Sequence, residues 1–155
     1  MNLGLQDKAA LITGGSKGIG FATALLMAKE GAKVAICARD EAHLRAAAER
    51  IREESGSVDV LYIVADVSRR EDCERAVAET ARRFGRLDIL VNNAGTAAGQ
   101  PFETIGTEAW QQDLDLKLFG AIHCSRAAIP HMRAAGGGSI VNLTAVGGKV
   151  PGASS

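Results

Sequence analysis

The sequence predicts an α/β domain in which helices cover both faces of a doubly wound parallel sheet. Short apolar runs of strand length alternate along the chain with longer segments whose apolar residues recur at helical spacing. Strands and helices that alternate in this way are joined by right-handed crossovers, which make neighbouring strands parallel. With 155 residues the chain is long enough for one domain with a core and too short for two. Residues 1–155 are therefore treated as a single domain.

The first part of the chain contains two predicted strands and two predicted helices. Lys8–Thr13 (KAALIT) and Lys33–Ala38 (KVAICA) are short apolar runs, as expected of strands that are buried on both faces. Between them, Gly18–Gly31 has apolar residues three and four positions apart, which predicts a helix. Glu41–Glu54 is charged and rich in alanine, the strongest helix former, and is the second predicted helix.

The alternation continues to the end of the chain. Val58–Val64 is the third predicted strand, and Arg70–Phe84 is the third helix. Leu87–Asn92 (LDILVN) is the fourth strand, and it is followed by one long predicted helix over Thr107–Ala135. That helix should end at a run of three glycines, because glycine favours helix termination. Ser139–Leu143 (SIVNL) is the fifth strand.

Charge and hydropathy exclude several classes of partner. Eighteen basic and eighteen acidic residues cancel to a formal charge of zero, so a nucleic-acid partner is not expected. The first residues, MNLGLQDKAALITGG, lack the basic and apolar regions of a secretory signal. No apolar run approaches the length that a membrane-spanning helix needs, so no membrane partner is expected. The expectation is a cytoplasmic protein.

The cysteines and histidines do not form a metal-binding pattern. Three cysteines lie far apart and make no C-x-x-C pair, so we expect reduced thiols in the core rather than disulfides. Three histidines lie on predicted helices with no carboxylate or cysteine at ligand spacing, so no metal site is predicted. These residues are Cys37, Cys73, Cys124, His43, His123 and His131.

A glycine-rich segment, TGGSKGIG, joins the first strand to the first helix. Gly14 permits a tight turn out of the strand, Gly18 lets the backbone approach a pyrophosphate, and Gly20 allows close packing of the helix on the sheet. Free N–H groups at the helix start then bind the anion, assisted by the helix dipole. Glycine-rich turns also serve packing alone, but the flanking strand and helix favour a nucleotide. The predicted cofactor contacts here are Gly14, Gly15, Ser16, Lys17, Gly18, Ile19 and Gly20.

Three motifs in order give the chain a family resemblance. They are T-G-x-x-x-G-I-G from Thr13, the pair Asp66-Val67 after the third strand, and Asn92-Asn93-Ala94-Gly95 after the fourth. With these motifs the chain resembles the short-chain dehydrogenase/reductase family from about Asp7 to its last residue. The resemblance implies a Rossmann-like sheet with strand order 3-2-1-4-5 that binds NAD or NADP.

The same resemblance assigns roles to the residues after the third and fourth strands. The aspartate at position 66 faces the adenine amino group in the family, with Val67 beside it. Asn93, Ala94 and Gly95 line the adenosine ribose and support the central strand. Considered alone, Asp66 is explained equally well as a helix N-cap before Ser68 and Arg69.

The residue that ends the second strand predicts NADP rather than NAD. A carboxylate there would accept a hydrogen bond from the ribose 2′-OH, whereas an arginine nearby accommodates a 2′-phosphate. This chain has Ala38-Arg39, and Lys17 could add a second cation from the opposite loop. In the alternative interpretation Arg39 pairs with Asp40 or Glu41, which leaves the cofactor preference undecided.

The chain departs from the family's catalytic pattern. The resemblance implies an Asn in the long helix, a Ser after the fifth strand and a Tyr-x-x-x-Lys pair beyond it, which together hold the substrate oxygen and relay protons. Lys117 occupies the Asn position and Ala145 the Ser position, with Thr144 one residue away. The Tyr and Lys positions would fall past Ser155. We therefore assign no catalytic residue and expect the domain to be incomplete at its C-terminus.

Lys117 has two interpretations. It lies on an otherwise apolar helical stripe, so its stem could pack on that face while the ammonium reaches solvent. Alternatively, the ammonium enters the active-site cleft and substitutes electrostatically for the missing polar group. The stripe consists of Trp110, Leu114, Lys117, Ala121, Cys124 and Ala128.

The resulting functional hypothesis is an NADP-dependent oxidoreductase that acts on a small carbonyl or alcohol. The resemblance implies the reaction, and the glycine loop by itself implies only the nucleotide. A different class of function is a non-catalytic NADP-binding or scaffold homologue, or an inactive fragment, for which Lys117 and Ala145 are the grounds. The family resemblance also implies a homo-oligomer for the intact protein. Nothing in the sequence names the substrate.

Overall fold

The computed structural model describes residues 3–96 and 101–144, which form five strands with helices on both faces of the sheet. The strands are β1 (Ala9–Thr13), β2 (Lys33–Ala38), β3 (Val60–Val64), β4 (Ile89–Asn92) and β5 (Ser139–Asn142). The helices are α1 (Gly18–Lys29), α2 (Glu41–Ser55), α3 (Arg70–Phe84), α4 (Thr107–Leu114) and α5 (Gly120–Ala134).

All four strand pairings are parallel, and the strand order is β3-β2-β1-β4-β5. The chain first crosses from β1 outward to β3 and then returns to the other side of β1, where β4 and β5 lie. In the register of the central strand, Ala10 is paired with Val34 of β2 on one side and with Ile89 of β4 on the other. The predicted doubly wound α/β fold and its strand order are confirmed.

Alternate residues of β1 divide the core into two clusters. Ala9 and Leu11 belong to the cluster beneath α3 and α5, whereas Ala10 and Ile12 belong to the cluster beneath α1 and α2. This division follows from the strand geometry, because successive side chains point to opposite faces of a sheet. Every residue of β1 is buried. Burial of each large aliphatic side chain contributes about 1.5–3 kcal/mol, so β1 anchors both layers.

The predicted long helix is interrupted. A π-helical turn over Asp115–Phe119 separates α4 from α5, and the N–H of Gly120 donates to the carbonyl of Asp115. The wider turn ends where a Cβ at Gly120 would lie 2.8 Å from the Val67 carbonyl oxygen, so the helix approaches the loop after β3 very closely. A π turn inserts one extra residue into the helix and often marks a functional site.

The predicted apolar stripe of this helix is buried in α5 but not in α4. Cys124 and Ala128 are inaccessible to solvent, whereas Trp110 is 45% exposed and Leu114 is 41% exposed. The π turn changes the rotational register between the two segments, so one sequence periodicity does not produce one buried face. The apolar stripe of the sequence is therefore covered along α5 and partly exposed along α4.

The edge strand β5 is exposed, whereas the three thiols are buried. β5 lies at the edge of the sheet and is largely exposed, with Val141 48% accessible. The three cysteines are free and buried, and burial raises the pKa of Cys37 to about 12. Within residues 3–96 and 101–144, no cluster of three or more His, Cys, Asp or Glu side chains could hold a metal ion. In the same residues no helix is both long enough and apolar enough to cross a bilayer.

Asp88 fastens β1 to the start of β4 at the end of the sheet opposite the glycine loop. Its Oδ2 accepts hydrogen bonds from the Ala9 amide at 2.9 Å and from Arg86 Nε at 2.7 Å, and its Oδ1 accepts a third from the Arg86 guanidinium at 2.6 Å. Lys8 Nζ lies 3.6 Å from the same carboxylate. Burial by itself would raise the pKa of Asp88, but the Arg86 and Ala9 hydrogen bonds outweigh it and hold the pKa below its usual range.

We expect Asp88→Asn to lower the free energy of unfolding at pH 7 by about 1.5–3 kcal/mol, the range for hydrogen bonds to a charged group. A depressed pKa stabilises the fold above the unfolded value of about 4, and this stabilisation is lost as the pH falls through the folded value. Urea denaturation measures the free energy of unfolding of Asp88→Asn and of the wild type. The difference between the two values should shrink as the pH falls below about 4.

Asp59→Asn is the control for this experiment. The Asp59 carboxylate lies 3.9 Å from Arg83 in a partly exposed pair, and its loss should change stability by less than about 1 kcal/mol. A gap between Asp88→Asn and the wild type that stays constant on acidification would contradict the role assigned to the Asp88 carboxylate.

Candidate functional site

A groove of about 1060 Å³ lies where the first four strands end. Strand ends of this kind, at the point where the strand order reverses, are where open α/β sheets bind ligands. Of the predicted cofactor residues, those that line the groove are Gly14, Ser16, Lys17, Gly18, Ile19, Arg39, Asp66, Val67, Asn93, Ala94 and Gly95. Gly15 and Gly20 do not line it; they lie in the supporting layer behind.

Gly14 makes the turn out of β1. Its φ is +66°, in the left-handed region that favours glycine, and its N–H donates to the Cys37 carbonyl at 2.8 Å. A Cβ at this position would lie 2.9 Å from the Cα of Ala94. The loop can therefore fit between the ends of β2 and β4 only because position 14 has no side chain.

The two glycines outside the groove lie where an added side chain would have no room. A Cβ at Gly15 would collide with the side chain of Ile36 on β2. A Cβ at Gly20 would overlap the Gly14 carbonyl and the Asn93 amide group. Gly15 and Gly20 thus let the loop and α1 lie directly on the sheet, which is the packing role that the sequence predicted for Gly20.

The start of α1 faces the groove with its backbone N–H groups uncapped. The N-cap residue, Lys17, has an extended backbone, and no side chain caps the helix. The first turn also contains no acidic residue. Gly18 and Ile19, the first two residues of α1, line the groove. Unsatisfied N–H groups at the positive end of the helix dipole are a binding site for an anion such as a diphosphate.

Hydrogen bonds between Thr13 and Asn93 join the glycine loop to the end of β4. The Thr13 hydroxyl oxygen accepts from the backbone N–H groups of Asn93 and Ala94, each at 3.0 Å. In return, Nδ2 of Asn93 donates to the carbonyls of Thr13 at 2.9 Å and Gly14 at 3.2 Å. Sequence reasoning assigned no role to Thr13; a threonine at the end of an otherwise apolar buried strand is the signal that could have identified it.

Asp66 forms a turn rather than a helix cap. Its Oδ1 accepts from the Ser68 N–H at 3.0 Å and from the Ser68 hydroxyl at 2.7 Å. The N-cap of α3 is Arg69, so the alternative interpretation of Asp66 as the N-cap is not what the structure shows. The turn places Asp66 and Val67 on the wall of the groove. Contact between Asp66 and an adenine stays a prediction.

Arg39 is not held by the acidic residues next to it. Within the two described segments it makes no ion pair, and it lines the groove together with Lys17. The Asp40 carboxylate instead contacts His43, accepting its backbone N–H at 2.9 Å. The proposed pairing of Arg39 with Asp40 or Glu41 is therefore not seen. Arg39 and Lys17 both line the groove, and neither forms an ion pair with another described residue.

Lys117 lies in the π turn beside the end of β4. Its Nζ is 2.7 Å from Oδ1 of Asp113, and its side chain is 43% exposed. Its carbon stem passes close to Gly95, where an added Cβ would lie 3.8 Å from Cε of the lysine. The carbon stem of Lys117 therefore packs against Gly95, in agreement with the first interpretation of Lys117. The ammonium group lies near Gly95, which lines the groove. Ala145 lies outside the described residues, and Thr144 is exposed.

Sequence reasoning missed one wall of the groove, which is formed by α1 and α2. The guanidinium of Arg50 lies 4.7 Å from the centre of the Phe21 ring, between the two helices. The α2 residues recur at helical spacing and so share one face of the helix, but no sequence pattern marks that face as the border of a ligand site. The additional wall residues are Phe21, His43, Ala46, Ala47 and Arg50.

A family model described as short chain dehydrogenase matches residues 8–155, nearly the whole chain. The chain belongs to this family. Its members bind a nicotinamide dinucleotide, and the groove lies at the position on the sheet where that ligand is expected.

Individual relatives agree with this assignment. The chain is 42% identical to an A-factor type gamma-butyrolactone 1′-reductase of Streptomyces virginiae, over 94% of the chain and 57% of the relative. It is 38% identical to L-fucose dehydrogenase of Bos taurus, over 92% of the chain and 51% of the relative. The crystal structure of L-sorbose reductase from Gluconobacter frateurii, complexed with NADPH and L-sorbose, matches with a TM-score of 0.94 and 38% identity, covering 99% of the chain and 58% of that structure. The chain thus spans about half the length of the curated relatives it matches.

We expect Gly20→Ala to weaken dinucleotide binding by about tenfold or more, equivalent to ~1.4 kcal/mol. The added methyl group overlaps the Gly14 carbonyl and the Asn93 amide, so the loop must move away from the groove. NADPH fluorescence titration measures the affinity, and circular dichroism verifies the fold. The matched control is Gly56→Ala, at the C-terminal end of α2, where the glycine has a left-handed backbone conformation and open space around it. This substitution should cost about 1–2 kcal/mol of stability and leave the affinity unchanged. Equal affinities for Gly20→Ala and the wild type would show that the loop does not bind the ligand.

Proposed function

We propose that this chain is the cofactor-binding portion of an NADP-dependent oxidoreductase that transfers hydride between NADP(H) and a small carbonyl or alcohol. The observation that carries the proposal is the uncapped start of α1, which opens into a groove between the glycine loop and the end of β4. A diphosphate fits this position because the backbone supplies N–H donors and no acidic side chain competes with it in the first turn.

The residues around the groove suit the other parts of a dinucleotide. Gly18 and Ile19 would hold the diphosphate through their backbone, and Asn93 to Gly95 would border a ribose. Asp66 would receive the adenine amino group. When bound, the nicotinamide would supply or accept the hydride, while the residues of the groove would hold it in place.

Charge supports NADP over NAD. The end of β2 carries Arg39 in place of a carboxylate, and neither Arg39 nor Lys17 has an ion-pair partner among the described residues. Two available cations favour a 2′-phosphate, which an acidic residue at the same position would repel. The similar L-sorbose reductase was solved with NADPH, which agrees with this preference.

The substrate class comes from the relatives. The relatives include an A-factor type gamma-butyrolactone 1′-reductase, an L-fucose dehydrogenase and an L-sorbose reductase, so we propose a carbonyl and an alcohol as the pair of functional groups here. The Lys117 side chain lies next to Gly95 at the end of β4, with its Cε 3.8 Å from the position of an added Cβ. We propose that its ammonium attracts the substrate oxygen, while Asp113 holds it in position.

The second candidate is a homologue that binds NADP without turning over a substrate. The replacement of the expected polar residue by Lys117, already paired with Asp113, favours it. Cofactor binding without turnover on a broad panel of carbonyls and alcohols would identify this function.

Arg39→Ala should weaken NADPH binding about tenfold to hundredfold, because a charge-assisted hydrogen bond contributes about 1.5–3 kcal/mol. NADH binding should stay the same, since that cofactor has no 2′-phosphate. Calorimetric titration with both cofactors measures the two affinities. Arg45→Ala, on an exposed part of α2 outside the groove, is the matched control for loss of one positive charge. An unchanged NADPH affinity in Arg39→Ala would rule out the proposed phosphate contact.

Lys117→Met should lower turnover of the intact protein about tenfold, a change of ~1.4 kcal/mol in the activation barrier. Methionine keeps an apolar stem beside Gly95 and removes the charge. A change in turnover can therefore be assigned to the lost charge and not to lost packing. NADPH affinity, measured in parallel, should be unaffected. The control is Lys29→Met at the exposed end of α1. If Lys117→Met turned over substrate at the wild-type rate, the lysine would only be a packed side chain.

A further inference from the structure

A carboxylate lies directly beside the cation proposed to bind the 2′-phosphate. Asp40 follows Arg39 in the chain, and both residues line the groove. A free carboxylate at this position would act against a 2′-phosphate in two ways, by pairing with the arginine and by repelling the phosphate. Whether the arginine can bind phosphate therefore depends on what holds the neighbouring carboxylate.

Both oxygens of the Asp40 carboxylate are held by one residue. Oδ1 accepts the backbone N–H of His43 at 2.9 Å, which also caps the start of α2. Oδ2 lies 3.2 Å from Nδ1 of the His43 imidazole. The backbone N–H and the imidazole lower the pKa of Asp40, with the N–H as the larger cause, so the carboxylate is ionised at neutral pH.

The two contacts from His43 can be separated by substitution. The backbone N–H belongs to any residue at position 43, whereas the contact with Oδ2 depends on the imidazole. Removal of the imidazole would leave α2 capped but would take away the partner of Oδ2 on Asp40, the residue that follows Arg39 in the chain. The side chains of His43 and Asp40 are 80% and 58% exposed, so the effect on affinity is limited by solvent screening.

We infer that His43 is a specificity-determining residue for the cofactor, because its imidazole holds Oδ2 of Asp40 and so keeps Arg39 available to a 2′-phosphate. The inference rests on the proposed preference for NADP and names a residue on which that preference depends. His43 acts through Asp40 and is thus a positioning residue, with no phosphate contact required of it.

The test compares NADPH and NADH affinities by calorimetry for His43→Ala, Asp40→Asn and the double variant. His43→Ala should weaken NADPH about threefold to fivefold, the range for an exposed charged contact, and leave NADH unchanged. Asp40→Asn keeps a good N-cap and removes the charge, so its NADPH affinity should equal or exceed that of the wild type. In the Asp40→Asn background, His43→Ala should have no further effect.

Two further variants serve as conservative replacement and control. His43→Gln retains an N–H donor on its side chain and should recover most of the NADPH affinity. His131→Ala, on α5 and outside the groove, should change neither affinity. Circular dichroism of each variant verifies that α2 is intact.

The outcomes distinguish this inference from the proposed function. If Arg39→Ala loses NADPH affinity but His43→Ala does not, the inference is overturned and the NADP preference stands. If His43→Ala weakens NADPH equally with and without the Asp40 charge, His43 acts by another route and the inference is likewise overturned. A wild-type protein that binds NADPH no better than NADH would overturn both.

Discussion

The hydrogen bonds between Thr13 and Asn93 are the constraint on which the site depends. They tie the backbone at the end of the central strand to the end of β4, so two loops far apart in the chain form one surface. The Thr13 hydroxyl also accepts from Ala94, and Asn93 reaches the carbonyl of Gly14. Because these donors and acceptors are satisfied within the protein, the N–H groups at the start of α1 are the ones left to face a ligand.

The two ends of the β1–β4 pair serve different purposes. At one end the Asp88 carboxylate receives Arg86 and the Ala9 amide, a closed set of partners that stabilises the sheet. At the other end the polar groups hold only the loop, and the open donors and cations border a groove. Unpaired charge would destabilise a buried cluster. The charged groups at the groove are tolerated because the interactions that stabilise the sheet lie at its other end.

At the groove, two neighbouring residues of opposite charge, Arg39 and Asp40, do not pair with each other. Arg39 and Asp40 are adjacent and opposite in sign, yet the aspartate turns to the start of α2 and the arginine remains unpaired among the described residues. The start of a helix attracts a carboxylate because it offers free N–H groups and the positive end of the dipole. Cofactor preference is therefore linked to helix capping as well as to the arginine itself.

The sequence by itself determined the strands, the strand–helix alternation and the glycine loop. Apolar runs and glycine spacing can be recognised within one segment, without knowledge of the segments that pack against it. It also placed the Asp66 and Asn93 segments at strand ends. Only the tertiary structure decided the partners: Thr13 with Asn93, Asp40 with His43, and the π turn that moves Lys117 beside Gly95. These choices depend on the distance between atoms of different elements, which no pattern within one segment contains.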